Sequence, residues 1–229
     1  MRLIYLNTGR SSVFESQVLE LICTLQSKNE IEDIVLLCGW IKRKEKRELL
    51  GLTEKLKMKT KFFRSYPNYP IFNLLNRYSL IKALNSLIIS KRDTIIHVRG
   101  EIASWHLLKI LRKFRLSTDN VLADIRGVSL EEIDEYTGYI NFVKKMKIKN
   151  FRNALRSLSQ FKYINAISPA LKEYLSRESN IPDEHISVIT SLAGNKFRFS
   201  TTDRKLIREK LNLKKEDALF LFESGGTGL

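Results

Sequence analysis

Cysteine is scarce in this chain: Cys23 and Cys38 are the only two. Both fall in apolar surroundings, one in a predicted helix and one in a predicted strand. Buried free thiols are expected, and a disulfide scaffold or a zinc site is not. No apolar run reaches the length of a membrane span. The N-terminus passes straight into Leu3-Ile4-Tyr5-Leu6, which is too short for a signal-peptide core and has no cleavage site, so cytoplasmic residence is expected. Internal repeats and low-complexity tracts are missing too. Acidic residues are outnumbered, 25 against 40 Lys and Arg, leaving a net charge of +15 and a pI near 9.8. That imbalance points to a polyanionic partner: an anionic membrane surface, nucleic acid or a phosphorylated substrate.

What the chain does have is enough apolar material for a core, 43% hydrophobic and 10% aromatic in 229 residues. This suits one large domain, or one domain and part of another. Two runs organise it. Thr94-Ile95-Ile96-His97-Val98-Arg99-Gly100-Glu101 and Val121-Leu122-Ala123-Asp124-Ile125-Arg126-Gly127 each read as a short buried strand ending at an Arg-Gly step where a helix begins. Similar apolar runs lie at 2–7, 34–38, 60–63, 163–167 and 186–189, with helical periodicity between them. Near-continuous apolar strands alternating with helices predict a doubly wound, mostly parallel α/β sheet covered on both faces. Right-handed crossovers then bring the strand tips to one edge, where ligands bind in such sheets. His97, Arg99, Asp124 and Arg126 are therefore expected to share one cleft.

Each candidate has its chemistry. A strand-tip His97 could act as a general base toward an acceptor hydroxyl, or simply be a satisfied structural histidine. Asp124 could accept from hydroxyls and Arg126 or Arg99 clamp an anion, the alternative being a local ion pair at a strand end. The first turn, Thr8-Gly9-Arg10-Ser11-Ser12, precedes a helix whose start carries Glu15. Its amides could face a diphosphate or sugar, with Gly9, Ser12 and Glu15 as binding residues, or form an ordinary capped turn. Only one glycine is present there, so no dinucleotide fingerprint exists. Glu131 sits in the first turn of a helix predicted from Ser129. His106 and His185 read as structural. From 138 to 161 the chain has no acid and carries Lys144, Lys145, Lys147, Lys149, Arg152 and Arg156 among aromatics. This basic amphipathic stretch fits an anionic membrane surface, a nucleic acid, or a solvated face.

The tail carries a resemblance. Ile167-Ser168-Pro169-Ala170-Leu171-Lys172 opens a helix, and Ile186-Ser187-Val188-Ile189 follows as a strand. A loop with Gly194, Asn195 and Phe199, a basic helix from Arg204 to Leu211 and a strand Leu219 to Phe222 complete it. This order resembles the hinge of family 4 glycosyltransferases of the two-domain GT-B fold. Where the family has an Asn-Gly-Val-Asp step, Ala193-Gly194-Asn195 stands here. Asp124-Ile125-Arg126-Gly127 with Glu131 is similar to a pattern in bacterial members that act on surface polysaccharides. The resemblance implies an acceptor-side Rossmann-like domain over 1–190. It implies a hinge and the incomplete start of a donor-binding domain over 191–229, with Gly225 and Gly226 near the donor diphosphate. It further implies sugar transfer from a nucleotide-sugar to a glycan or lipid-linked acceptor, with no cofactor and no metal; no Asp-x-Asp motif is present. On this reading the chain is an incomplete transferase with little turnover of its own. A basic α/β module binding nucleic acid or membrane, and a non-catalytic subunit completed by a separate donor domain, are the alternatives.

Overall fold

The computed structural model describes residues 1–9, 14–28, 31–88, 94–127, 129–130, 133, 141–190 and 201–212. Seven strands are present among them: β1 (Arg2–Asn7), β2 (Asp33–Trp40), β3 (Thr60–Arg64), β4 (Thr94–Arg99), β5 (Val121–Ile125), β6 (Tyr163–Ala166) and β7 (Ile186–Val188). They form one sheet in the order β3-β2-β1-β4-β5-β6-β7, with every pair parallel. The expected doubly wound α/β fold is what the chain adopts. Strand order reverses at β1, which lies between β2 and β4, and that reversal opens a crevice at the carboxyl edge.

The continuous apolar strands follow from helices on both faces. On one face a π-helical turn (Glu15–Leu19), α1 (Glu20–Ser27) and α2 (Arg43–Lys55) cover Leu3, Tyr5, Ile34, Leu36 and Cys38 with Phe14, Val18, Ile22 and Leu49. On the other, α3 (Asn73–Ile88), α4 (Glu101–Lys113), α5 (Asn141–Ser157) and α6 (Pro169–Ser179) pack on Ile4, Leu6, Ile96, Val98, Ala123 and Ile164. Helix α4 is buried on nearly all sides from Ile102 to Leu111, with Lys109 exposed. Helices α3 and α5 flank it, Ala154 and Phe151 of α5 packing against Ile102 and Trp105. A last helix, α7, spans Thr201–Lys210.

Local rules explain the boundaries. Ser168 caps α6, its Oγ accepting from Leu171 N at 3.1 Å, with Pro169 at the first helical position. Gly100 sits at φ 86°, ψ 157° before α4, a conformation closed to side chains with a Cβ. At Gly39 a Cβ would lie 2.6 Å from the Thr8 carbonyl oxygen, so only glycine lets β2 pass this close to the turn after β1. Leucine spacing in 49–56 suggests an apolar side of Leu49, Leu50, Leu52 and Leu56, but in α2 the buried positions are Leu49 and Thr53, one helical turn apart, and Leu50 and Leu56 are exposed. Both cysteines are free thiols; burial pushes Cys38 up to about 12 and raises Cys23. No described helix is long and apolar enough to cross a membrane. The strand expected at Leu219–Phe222 and the hinge loop from Ser191 to Phe199 lie outside the described residues, as do Ser12, Glu131, Gly225 and Gly226.

Candidate functional site

The register of the sheet assembles a polar line across the carboxyl ends. Tyr5 pairs with His97, Arg99 with Asp124, and Asp124 with Asn165. Paired residues share a sheet face, so these side chains project from the α1 side of the sheet. Asp124 is the centre and is fully buried. Its Oδ2 lies 2.8 Å from Arg126 Nε and 3.2 Å from His97 Nε2. Its Oδ1 accepts from Asn165 Nδ2 at 2.7 Å, and Asn165 Oδ1 in turn accepts from Ile189 N at 3.0 Å. A buried carboxylate is costly unless paired and hydrogen-bonded. Burial pushes the Asp124 carboxyl up, but His97 and Arg126 more than offset it and hold it at about 2. His97 packs at a tilt against the Tyr5 ring, 4.4 Å between centroids, and burial, with the Asp124 charge, raises the Tyr5 phenol.

Above this line lies a cleft of about 440 Å³. Thr8 and Gly9 after β1, Ser65 after β3, Arg99 and Gly100 at the end of β4, and Arg126 and Gly127 after β5 line it. Its other walls are the Tyr66–Asn68 loop and the α3/α4 residues Asn76, Leu80 and His106. Asn76 pins the loop: its Oδ1 accepts from Tyr66 N at 2.8 Å and its Nδ2 donates to Tyr66 O at 3.2 Å. Arg99 is braced from the π-helical turn, its Nη2 donating to Gln17 Oε1. Three buried polar groups on the lining have no hydrogen-bond partner among the described residues: Arg99 Nη1, Ser65 Oγ and both ring nitrogens of His106. Burial, with Arg77 nearby, lowers His106 to about 4, so at neutral pH its ring is uncharged and can donate through one nitrogen and accept through the other. Buried polar groups are normally paired, and these three belong to residues that border one space. Two guanidinium groups suit an anion, and a neutral imidazole with a hydroxyl suits sugar hydroxyls.

The four strand-tip residues expected to share a cleft are brought together, but in two layers. Arg99 and Arg126 line the cleft with Gly9. His97 and Asp124 lie beneath it, so His97, expected at the reacting face, instead contacts the carboxylate that holds Arg126. Glu15 opens the π-helical turn and is exposed, away from the lining. On α5, Lys145, Lys149, Arg152 and Arg156 are exposed. Lys144 and Lys147 are half-buried, Lys147 lying 5.4 Å from the Tyr69 ring centroid. Sequence reasoning missed Ser65 and Asn165 and took His106 as structural. A lone Asn in the apolar run Tyr163–Ala166 is a signal that was there to read; His106 has none, because only the packing of α3 on α4 places it at the cleft, and Ser65 has none, because only the pairing of β3 with β2 does. No group of three or more His, Cys, Asp or Glu side chains is placed to hold a metal ion among the described residues.

No protein-family model matches the chain, and no curated protein matches it in sequence. Solved structures match it in fold. One, described as a UDP-N-acetylglucosamine 2-epimerase from Listeria monocytogenes, aligns with TM-score 0.56 and 12% identity over 82% of this chain and 44% of its own. A UDP-N-acetylglucosamine 2-epimerase from Rickettsia bellii aligns with TM-score 0.53 and 13% identity over 93% and 52%. A further UDP-N-acetylglucosamine 2-epimerase aligns with TM-score 0.53 and 13% identity over 82% and 47%. At such identities the likeness concerns the fold: a Rossmann-like α/β domain of the GT-B type. The chain spans about half the length of these structures.

Proposed function

We propose that this chain is the acceptor-side domain of a GT-B nucleotide-sugar enzyme, and that the enzyme transfers a sugar to a polysaccharide or lipid-linked acceptor. The observation that carries the reading is the cleft itself. Arg99 and Arg126 offer positive charge at a sheet switch point, and Ser65 and His106 offer unmet hydrogen-bonding capacity beside them. A phosphorylated acceptor fits this pairing, its phosphate against the two arginines and its hydroxyls toward His106. Fixed positive groups in a closed site stabilise the charge that develops on transfer. Asp124, His97 and Asn165 serve as positioning residues: they lock Arg126 from below through the carboxylate. In the family resemblance, Ser12 and Glu131 would add to the acceptor side, and Gly225 and Gly226 to the donor diphosphate.

The test is ligand-observed NMR on the purified chain with a short prenyl phosphate, UDP and UDP-N-acetylglucosamine. The prenyl phosphate is expected to bind. Arg99→Gln and Arg126→Gln are each expected to weaken it by about 10-fold or more, the worth of a charge-assisted pair. Binding that survives both substitutions unchanged refutes the assignment. The three structural neighbours favour one second reading, epimerisation of a nucleotide-sugar. Conversion of UDP-N-acetylglucosamine to UDP-N-acetylmannosamine with no acceptor present would decide for it.

A further inference from the structure

The outer face of α3 and α5 has a composition of its own. Residues 55–92 contain no Asp or Glu and nine Lys or Arg; residues 136–172 contain none and eight. These stretches contain α3, which carries Arg77 and Lys82, and α5, which carries Lys144, Lys145, Lys147, Lys149, Arg152 and Arg156; the two helices lie on the same side of the sheet. They are tied together where Asn73 Nδ2 donates to Asn150 Oδ1 at 2.8 Å and Asn150 Nδ2 donates back to Asn73 Oδ1 at 3.2 Å. Their outer stripes therefore look away from the sheet as one platform.

The two stripes divide the work. Along α3 and the turn before it, the outward positions are Ile71, Leu74, Leu75, Tyr78 and Lys82, at helical spacing. Ile71 is 68% exposed, Leu74 72% and Tyr78 58%. An amphipathic helix of a water-soluble domain normally turns such residues inward, and here Leu80, Ala83 and Leu84 already fill the inner face. Along α5 the outward positions are Phe142, Lys145, Lys149, Arg152 and Arg156, with Phe142 70% exposed. An apolar ridge on α3 and a row of four cations on α5 thus flank α4 on the same side of the sheet, linked at Asn73 and Asn150, both in acid-free sequence.

We infer that this α3/α5 face docks on an anionic lipid bilayer. Ile71, Leu74, Tyr78 and Phe142 enter the headgroup boundary, and Lys145, Lys149, Arg152 and Arg156 meet lipid phosphates. Apolar insertion beside basic side chains is how interfacial helices hold to such surfaces. The alternatives fit less well. A second copy of the chain would press two faces of like charge together. A nucleic acid would meet the cations but leave the aliphatic ridge in water. The inference does not rest on the chemistry proposed for the cleft.

The experiment is co-sedimentation of the 229-residue chain with vesicles of phosphatidylcholine alone or with 30% phosphatidylglycerol, as about 30% anionic lipid resembles a charged leaflet. Tight binding to the anionic vesicles alone is expected. Lys145→Gln with Lys149→Gln should cut partition by roughly 25-fold, about fivefold per charge. Leu74→Ser with Tyr78→Ser should cut it by about 10-fold or more through lost apolar insertion. These positions are exposed, and unchanged thermal unfolding verifies that the variants fold. Equal binding to both vesicle types overturns the inference. So does anionic binding that the Leu74/Tyr78 variant retains in full while it binds a 20-base-pair duplex (about two helical turns) equally well, which marks a general polyanion surface. A dimer in sedimentation that Leu74→Ser dissociates, with vesicle binding unchanged, overturns it in favour of self-association.

Discussion

At the scale of single residues, two buried groups set how the protein responds to acid. Asp124 keeps its charge to about pH 2 in the folded chain, against an ordinary 3.8. Between those values the unfolded chain binds the extra proton, so stability is complete above the window and falls as the pH drops through it, by about 2 kcal/mol. His106 acts higher. Folded, it resists protonation to about 4, while unfolded it takes a proton near 6.5. Stability therefore declines as the pH falls from about 6.5 to 4, by about 3 kcal/mol. Urea unfolding at a series of pH values should show both phases. His106→Leu should flatten the upper one and leave the lower, whereas Asp124→Asn should remove the lower and lower stability at pH 7. A His106→Leu variant with the wild-type slope above pH 4 would rule out this role.

At the scale of elements, the walls of the cleft depend on asparagines near the start of α3. Asn73 and Asn150 exchange amide hydrogen bonds, and Asn150 Nδ2 also donates to Asn68 O at 3.2 Å. Asn150 is fully buried and Asn73 nearly so. Asn73→Ala orphans the Asn150 Oδ1 and Asn150→Ala orphans the Asn73 amide, each at about 1–3 kcal/mol. The double variant should cost less than the sum, because the second change removes the orphan that the first created. A double-mutant cycle by urea denaturation measures this; strict additivity would show that the pair is not coupled. The strands and most helices were legible in the sequence because their apolar periods are long and unbroken. The inner face of α2 was not: Thr53 rather than Leu50 or Leu56 packs inward, since a helix can bury only one side against β1 and β2.

At the scale of the whole molecule, charge is the dominant asymmetry. With a net +15, the compact state repels itself, and salt screens that repulsion over about 10 Å at 0.1 M. Raising ionic strength from about 20 to 300 mM should lift the thermal midpoint by a few degrees, read by circular dichroism. A midpoint that falls with salt would mean that the ion pairs of the site outweigh the general repulsion. The same excess of cations is not spread evenly: acid-free sequence gathers on the α3/α5 face, opposite in role from the cleft, where Asp124 and Glu101 accompany the arginines.

The order of residues alone determined the alternation of strands and helices, the parallel sheet and the polar tips at Arg99 and Arg126, because these follow from local periodicity and from where apolar runs stop. Tertiary structure decided the rest. Register set Arg99 and Asn165 on either side of Asp124 and left His97 within 3.2 Å of the same carboxylate. The packing of α3 on α4 carried His106 into the cleft, and the pairing of β3 with β2 carried Ser65 there. The pairing of α3 with α5 joined an apolar ridge to a cationic one. Each of these joins residues far apart in the chain, and only packing brings them within reach.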